Sequence, residues 1–425
     1  MVKISGPLIV GNILQQMYNM IDALVIERYL GESSFASVGI AGSVMNLFLF
    51  LIIGACTGIS ILFSQLSGEG NADKLRHEHF TGLLFGLVLS GSLGAAGILF
   101  LPFLLHLIQT PAELLEGTLI YLRIILAALP VAFIYNFYNA ILRSVGDTLS
   151  SLGLLFIAVL VNLGLDIHLI SGLGLGIGGA ALATALSQLL SAVLCVLYLK
   201  FKYPAMMFGK RDCTLSRHLI MKTARYSLGA GLHQTGLYIG KMIVQGAVNT
   251  GGTAMIAAYT AAGRIEGFAN SFGDSGSAAT SVLAGHSYGA GDRKRTQMVF
   301  RVSLYYMLLL GAVCSAIMYF TKNQTSAFLL SSGRGAAFDY AVSYIRLISL
   351  FYIFCFTGNS FAGFYEGTEH IMTTVAGACS HIAFRAMISC IFVRKYGLDV
   401  VAIATGFGWI GVNIFWSVRI SQSQK

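Results

Sequence analysis

Charged residues are scarce in this sequence. Only 11% of its 425 residues are Asp, Glu, Lys or Arg, whereas a soluble domain carries roughly a quarter. Hydrophobic residues make up 56%, and the mean hydropathy is +0.75. Because no water-soluble fold can hide so much apolar surface, the composition indicates a membrane protein.

Motifs for catalysis and cofactor binding are missing as well. There is no GxxxxGK[ST] sequence to bind ATP, and no Ser/His/Asp or HExxH signature of a hydrolase. Gly174, Gly176 and Gly179 match GxGxxG, but they lie in a hairpin between two apolar runs without the strand and helix of a dinucleotide site. The seven cysteines are scattered without metal-like pairs or a disulfide framework. We therefore expect no enzyme activity, no cofactor and no nucleic-acid partner, which leaves a secondary transporter.

Apolar runs of about 20 residues predict an all-α protein with twelve transmembrane spans. A long polar stretch at about 200–225 separates the sixth span from the seventh, which predicts an N-terminal lobe at 1–204 and a C-terminal lobe at 205–425. The predicted spans, numbered 1 to 12 in chain order, lie near 6–29, 35–66, 80–106, 119–142, 149–170, 176–199, 222–247, 253–285, 297–320, 338–365, 371–392 and 398–419.

Lys and Arg are distributed unequally between the two sides of these spans. Within or next to the N-terminus, the even-numbered loops and the C-terminus there are 17, against 5 at the odd-numbered loops. Cytoplasmic loops are enriched in basic residues. The count predicts a multi-pass protein of the cytoplasmic (inner) membrane with both termini in the cytoplasm.

Glycines repeat at a constant lag of 221 residues, mostly at hairpins. The pairs are Gly31/Gly252, Gly42/Gly263, Gly68/Gly289, Gly70/Gly291, Gly146/Gly367 and Gly176/Gly397. Because each half has an even number of spans, the halves run in the same direction and should be related by an axis along the membrane normal. We expect two pseudo-symmetric six-helix lobes that face each other across a cleft.

Acidic residues within the spans need an explanation, since each costs roughly 2.5 to 3.5 kcal/mol on insertion scales. They are Asp22, Asp166, Glu266 and Asp274. Asp22 lies in the outer half of span 1 and Asp166 near the outer end of span 5, so the two share a depth and could face one chamber. Arg264 could form an ion pair with Glu266. The sequence assigns no function to Glu266, Asp274 or Lys241.

Polar residues surround the two N-terminal aspartates at helical spacing. They are Gln15 and Tyr18 with Asp22 on span 1, Asn136 and Asn139 on span 4, Asn162 with Asp166 on span 5, and Thr184 and Gln188 on span 6. Carboxylate, amide and hydroxyl oxygens suit hard cations or protons. The alternative is that these residues only hold neighbouring helices together. GxxxG pairs such as Gly54/Gly58 and Gly82/Gly86 predict close helix packing.

Several segments together resemble the multidrug and toxic compound extrusion (MATE) transporters. They are YNMIDALVIERYLG (18–31), ASVGIAG (36–42), NAILRSVGDT (139–148), VNLGLDIHLI (161–170), GIGGAALATALSQ (176–188) and GHSYGAGDRKR (285–295). The resemblance implies outward export of cationic, amphipathic organic compounds in exchange for sodium or protons. The expected partners are small organic substrates and membrane lipids; we expect a monomer, although the sequence leaves the oligomeric state open.

The resemblance extends to a coupling-ion site. In the branch with an N-lobe cation site, the matching positions here are Asp22, Asn162, Asp166 and Thr184. Gln15, Tyr121, Asn136 and Asn139 are similar to the polar residues around that site. A C-lobe site of another branch places acids in spans 7 and 10, where this sequence has only Glu366, at the end of span 10.

Three other functions compete with drug export. A flippase for a lipid-linked precursor shares the distant superfamily fold, but such proteins usually carry more cationic residues in the cleft and often extra spans. A channel or an intramembrane enzyme would need a pore loop or a catalytic cluster, and neither is visible. Ethidium efflux from energised cells separates these functions, whereas the choice between sodium and protons stays open.

Overall fold

The computed structural model describes residues 1–108, 110–330 and 334–423; the side chains of 20, 23, 24, 32 and 421–423 are also left undescribed. Over these ranges the chain is helical and contains no strand. Residues 424 and 425, part of the C-terminus predicted to be cytoplasmic, lie outside the description.

Each predicted span corresponds to a helix, so the fold prediction is confirmed. The first half comprises Val2–Glu69 (spans 1 and 2, separated by a break at Gly31), Ala72–Leu107 (span 3), Ala112–Ala127 and Leu129–Ser144 (span 4), Thr148–Asp166 (span 5) and Gly176–Lys202 (span 6). The second half comprises Arg217–Asn249 (span 7), Thr253–Gly289 (span 8), Arg293–Leu330 (span 9), Ala336–Gly367 (span 10), Ile371–Tyr396 (span 11) and Leu398–Ser423 (span 12).

Helix length and apolarity agree with membrane crossing for most spans. Eight helices of the described chain are long and apolar enough to cross a bilayer, or nine if the two pieces of span 4 count as one. The helices that fail this test are spans 1, 7 and 8. These are the helices that carry Asp22, Lys241, Glu266 and Asp274, and such charged residues lower the hydropathy of a span.

Two spans depart from a regular helix near polar residues. The two pieces of span 4 meet at a 50° bend, where Pro130 stands in the first turn of the second piece and cannot donate a backbone hydrogen bond. Span 5 continues from Asp166 into a π-helical turn, Ile167–Gly172. Such turns often occur at functional sites, and this one begins directly after a predicted site residue.

The chain divides into two compact units. One is Val10–Gly231, and the other consists of Met1–Ile9 with the described residues from Leu232 onward. The sequence prediction places the lobe boundary at 204/205, in the linker, whereas the packing places it inside span 7. The reason is that the first half of span 7 packs on span 2, as the contacts of Gly54 and Gly58 with its backbone show.

Backbone conformation supports the internal repeat. Gly31 and Gly252, Gly70 and Gly291, and Gly176 and Gly397 all have positive φ angles, so the 221-residue pairs adopt the same turn. The predicted alignment of Gly146 with Gly367 is shifted by two residues. Gly146 has a φ of 81°, but in the second half the positive φ of 68° occurs at Glu369, since Gly367 is still helical.

Small residues bring the helices together, as the GxxxG pairs predict. A Cβ on Gly86 would fall inside the ring of Phe133, and one on Gly82 would lie 3.3 Å from that of Phe137. Phe133 and Phe137 are fully buried in the core of the Val10–Gly231 unit. Because lipid is as apolar as these side chains, such close packing stabilises helix association in a membrane.

Asp147 joins the loop between spans 4 and 5 to the end of span 6. Its carboxylate accepts hydrogen bonds from the Ser150 backbone N–H at 3.4 Å and from Tyr198, Lys202 and Tyr203 at 3.0 Å each. Burial on its own would raise the pKa of Asp147, but these hydrogen bonds outweigh it and lower the pKa to about 2. The carboxylate is therefore held in its ionised form.

We expect Asp147→Ala to lower the stability of the protein by about 1 kcal/mol, the usual cost of losing a helix N-cap; the Lys202 ion pair adds little because Lys202 is half exposed. The ordinary pKa of Asp is about 3.9, above the folded value of about 2. The stabilisation should therefore be complete above about pH 4 and disappear as the pH falls through 2. Thermal unfolding of both proteins in detergent between about pH 2 and 8 measures it. A difference that grows as the pH falls would contradict this assignment.

Candidate functional site

Asp22 and Asp166 meet inside the Val10–Gly231 unit. Their carboxyl groups are in hydrogen-bonding contact with each other. Asp166 is completely buried and Asp22 is half-buried. Among the described residues neither forms an ion pair with Lys or Arg, and the Oδ1 atom of each is buried without a hydrogen-bond partner. Two adjacent carboxyl groups therefore share one site with no basic counter-charge among the described residues.

Asn162 connects this carboxyl pair to its neighbours. In the orientation that satisfies its hydrogen bonds, its amide nitrogen donates to Oδ2 of Asp166 at 2.9 Å and to the Tyr18 hydroxyl at 2.7 Å. Its oxygen accepts from the backbone N–H of Thr184 at 3.2 Å. Asn162 lies one turn before Asp166 on span 5, so both side chains point to the same face. One amide thus links spans 1, 5 and 6.

Tyrosine hydroxyls complete the cluster. Tyr18 and Tyr121 both reach the side chain of Thr184 within hydrogen-bonding distance, and both lie close to the two aspartates. Tyr121 is buried. Only the family resemblance predicted it as a site residue, because it does not share a helix with the other members of the cluster. We call these six residues the N-lobe cluster: Tyr18, Asp22, Tyr121, Asn162, Asp166 and Thr184.

The other predicted site residues bond elsewhere or lie further along a helix. Gln15 donates to Asn19 at 3.3 Å on its own helix, and Asn136 donates to the Ala132 carbonyl one turn back, at 2.8 Å. Gln188, half-buried, follows Thr184 by one turn on span 6.

Asn139 belongs to a separate contact. It accepts a hydrogen bond from the Ser151 hydroxyl and forms a second hydrogen bond with the Tyr135 side chain on its own helix. It therefore fixes the start of span 5 against span 4. Within the described contacts it has no hydrogen bond to the N-lobe cluster.

A second polar network, which sequence reasoning missed, lies in the unit from Leu232 onward. The Glu266 carboxylate accepts hydrogen bonds from Tyr344 at 2.8 Å and from Tyr352 at 3.3 Å. The expected partner Arg264 is not among its contacts, because residues two positions apart point to different sides of a helix. The two tyrosines stand eight residues apart on span 10 and share a face. This spacing was the one sequence pattern that could have indicated a polar site on span 10.

Asp274 and Lys241 lie in the same unit, and both are exposed. Asp274 is within electrostatic range of Lys241 and His233. His233 itself pairs with Glu366, with 3.3 Å between Nδ1 and Oε1. The two exposed charges are therefore neighbours without a direct ion pair in the described structure.

The ligand types limit what the sites can hold. The described residues contain no group of three or more His, Cys, Asp or Glu side chains placed to bind a metal ion. The N-lobe cluster instead offers two carboxyl groups, one amide and three hydroxyls, which suit a proton or a hard monovalent cation.

Comparison with known proteins agrees with this architecture. The MatE family model matches residues 7–167 and again 230–391, so the two halves are copies of one unit. The chain is 27% identical to the probable multidrug resistance protein YoeA of Bacillus subtilis (strain 168), over 76% of this chain and 72% of that protein. It is 25% identical to a FAD transporter of Shewanella oneidensis, over 73% and 69%. An outward-facing multidrug resistance MATE family transporter of the MOP superfamily has the same fold, with a TM-score of 0.92, 22% identity, and coverage of 100% of this chain and 96% of that one.

Two six-helix lobes, each with buried polar groups inside apolar spans, define a multi-pass membrane transporter. The chain belongs to the MatE family, the multidrug and toxic compound extrusion transporters.

Proposed function

We propose that this protein is a secondary antiporter that exports organic compounds across the cytoplasmic membrane in exchange for protons or sodium. The contact between Asp22 and Asp166, without a basic partner, carries the proposal. Two buried carboxyl groups in contact without a basic partner cannot both stay ionised and uncompensated: either one of them binds a proton, or a cation between them neutralises the charge. Binding of that ion changes the charge of the cluster and can favour one of two lobe arrangements.

The described hydrogen bonds favour the proton as the coupling ion. The Asn162 oxygen is taken by the Thr184 N–H, and its nitrogen faces Asp166. Among the buried side-chain oxygens of the cluster, Oδ1 of Asp22 and Oδ1 of Asp166 have no hydrogen-bond partner in the described structure. Two oxygens suffice for a shared proton, whereas a hard cation usually takes more oxygen ligands and would need water or a turned amide. Thr184 and the two tyrosines would then set the orientation of the carboxyl groups.

The relatives do not define a single substrate class. Their names include multidrug resistance proteins and a FAD transporter, so relatives of this chain handle chemically different compounds. We propose small amphipathic organic compounds, including the cationic ones that the sequence resemblance implies. We further propose that the protein works as a monomer in contact with membrane lipids, with both termini in the cytoplasm.

Efflux driven by single imposed gradients tests the proposal. Purified protein is reconstituted in liposomes with ethidium, and a pH gradient or a sodium gradient is applied separately. We expect ethidium movement against its own gradient when the pH gradient is present, and little or none with sodium alone. Movement driven by sodium alone would assign the site to sodium, and transport that needs no gradient would contradict the antiport mechanism.

A further inference from the structure

Span 11 occupies in the second lobe the place that span 5 occupies in the first. Span 5 begins at Thr148 and span 11 at Ile371, and the positive-φ residues before them are Gly146 and Glu369. Both pairs are separated by 223 positions. With that lag Arg385 stands where Asn162 stands, and the buried Ser389 stands where Asp166 stands. The face that carries an acid in the first lobe carries a base in the second.

The sixth helix of each lobe contacts this face in a similar way. In the first lobe the backbone N–H of Thr184 donates to the Asn162 side chain. In the second lobe the His381 ring is hydrogen-bonded to the backbone of Thr405. Thr405 stands 221 positions after Thr184, which is the lag of the glycine pairs. His381 stands one turn before Arg385 on span 11. The two lobes are therefore built alike around groups of opposite charge.

Arg385 has few partners for a charged group inside a lobe. One guanidinium N–H donates to the Tyr259 hydroxyl at 2.9 Å. Its Nε is buried without a hydrogen-bond partner in the described structure, and so is Nε2 of His381. Guanidinium carries five N–H donors. No carboxylate among the described residues forms an ion pair with it, and both oxygens of Glu266 already accept hydrogen bonds from tyrosines.

Lys241 brings a second positive charge to the same region. Cys355 of span 10 lies within electrostatic range of both Lys241 and Arg385, and also of Glu266 and Asp274. The formal charges of these four residues balance. Their buried hydrogen bonding differs, because both oxygens of Glu266 accept hydrogen bonds from tyrosines whereas Nε of Arg385 has no partner in the described structure. Lys241 and Asp274 are both exposed, so the buried donor without a partner in this group is Nε of Arg385.

We propose that Arg385, together with Lys241, binds an acidic group, a carboxylate or a phosphate, on the compound that the protein exports. A planar guanidinium can hold either group through two parallel N–H···O bonds, and an ammonium adds a point charge. This inference rests on the proposed export function and adds to it a substrate class. The substrates would be compounds with an acidic group, alone or beside a basic one, rather than cations only.

Matched substrate pairs test the inference in liposomes under the driving gradient. Rhodamine B, which has a free carboxylate, is compared with its ethyl ester, and flavin mononucleotide, which has a phosphate, is compared with riboflavin. We expect the wild type to transport the acidic member of at least one pair several-fold faster, and the rhodamine and flavin pairs separate carboxylate from phosphate recognition. Arg385→Gln should lower transport of that acidic member at least tenfold and change its neutralised partner by less than twofold.

Control variants separate recognition from folding. Arg346→Gln removes an exposed arginine of span 10 and should leave both members of each pair unchanged. If Arg385→Gln does not reach the membrane, Lys241→Gln, at an exposed position, is the second variant. It should also lower transport of the acidic member selectively, by a smaller factor than Arg385→Gln. Equal transport of both members by wild type, or an equal loss of both in the variants, would overturn the inference. Wild type that moves neither member under any gradient would instead overturn the export function.

Discussion

Replacing Asp166 by asparagine is expected to abolish gradient-driven efflux while leaving the protein folded in the membrane. Asparagine keeps the size of the side chain and can still accept a hydrogen bond from the Asn162 amide, which lies 2.9 Å from Oδ2 of Asp166. It cannot bind or release a proton, and it removes half of the negative charge that would hold a cation. Coupled efflux of ethidium at matched expression should therefore fall to the level of empty vesicles.

The purely structural alternative gives a different result. If Asp166 only held spans 1 and 5 together, the amide could make those contacts and transport would largely survive. Asp22→Asn should reproduce the loss, since a single carboxyl group can stay ionised without a coupling ion. Glu116→Gln removes an exposed carboxylate from the same unit and should transport normally. Near-normal efflux in both aspartate variants would move the coupling role to Glu266 and Asp274.

Sequence reasoning located the helices and the pair Asn162/Asp166 because both depend on local patterns. Twenty apolar residues predict a span wherever they occur, and the i, i+4 spacing of Asn162 and Asp166 already placed both side chains on one face of span 5. The common depth of Asp22 and Asp166 indicated that they could face one chamber, and the family resemblance grouped them with Asn162 and Thr184.

Features that depend on packing could not be predicted in the same way. The tyrosines around Glu266 come from span 10, about 80 residues along the chain, so no local spacing connects them. The Gly146/Gly367 pairing was wrong because the second copy is two residues shorter between Glu369 and Gly397 than the first is between Gly146 and Gly176. The π-helical turn at Ile167–Gly172 lies in that longer stretch. The boundary inside span 7 depends on which lobe its first half contacts.

Gly58→Ala is expected to produce the largest loss of stability among small substitutions in the Val10–Gly231 unit. A Cβ at this position would lie 2.3 Å from the backbone oxygen of Tyr226 on span 7. A backbone atom cannot rotate away as a side-chain tip can, so span 2 and span 7 must separate along their contact. Gly54, one turn earlier, faces the Cα of Gly231 at 2.5 Å in the same way, so the displaced contact extends over two turns.

Overpacking in a well-packed interior costs about 1 to 3 kcal/mol, and a backbone-to-backbone clash should reach the upper end of that range. Gly42→Ala is the matched control, because Gly42 lies on the same helix and a Cβ there would meet nothing within 4 Å. Thermal unfolding in detergent, followed by the fraction that stays monodisperse on gel filtration, compares the two. We expect a midpoint several degrees lower for Gly58→Ala and an unchanged or slightly higher one for Gly42→Ala, since alanine is the better helix former. Equal midpoints for the two variants would show that span 2 and span 7 do not pack through this glycine pair.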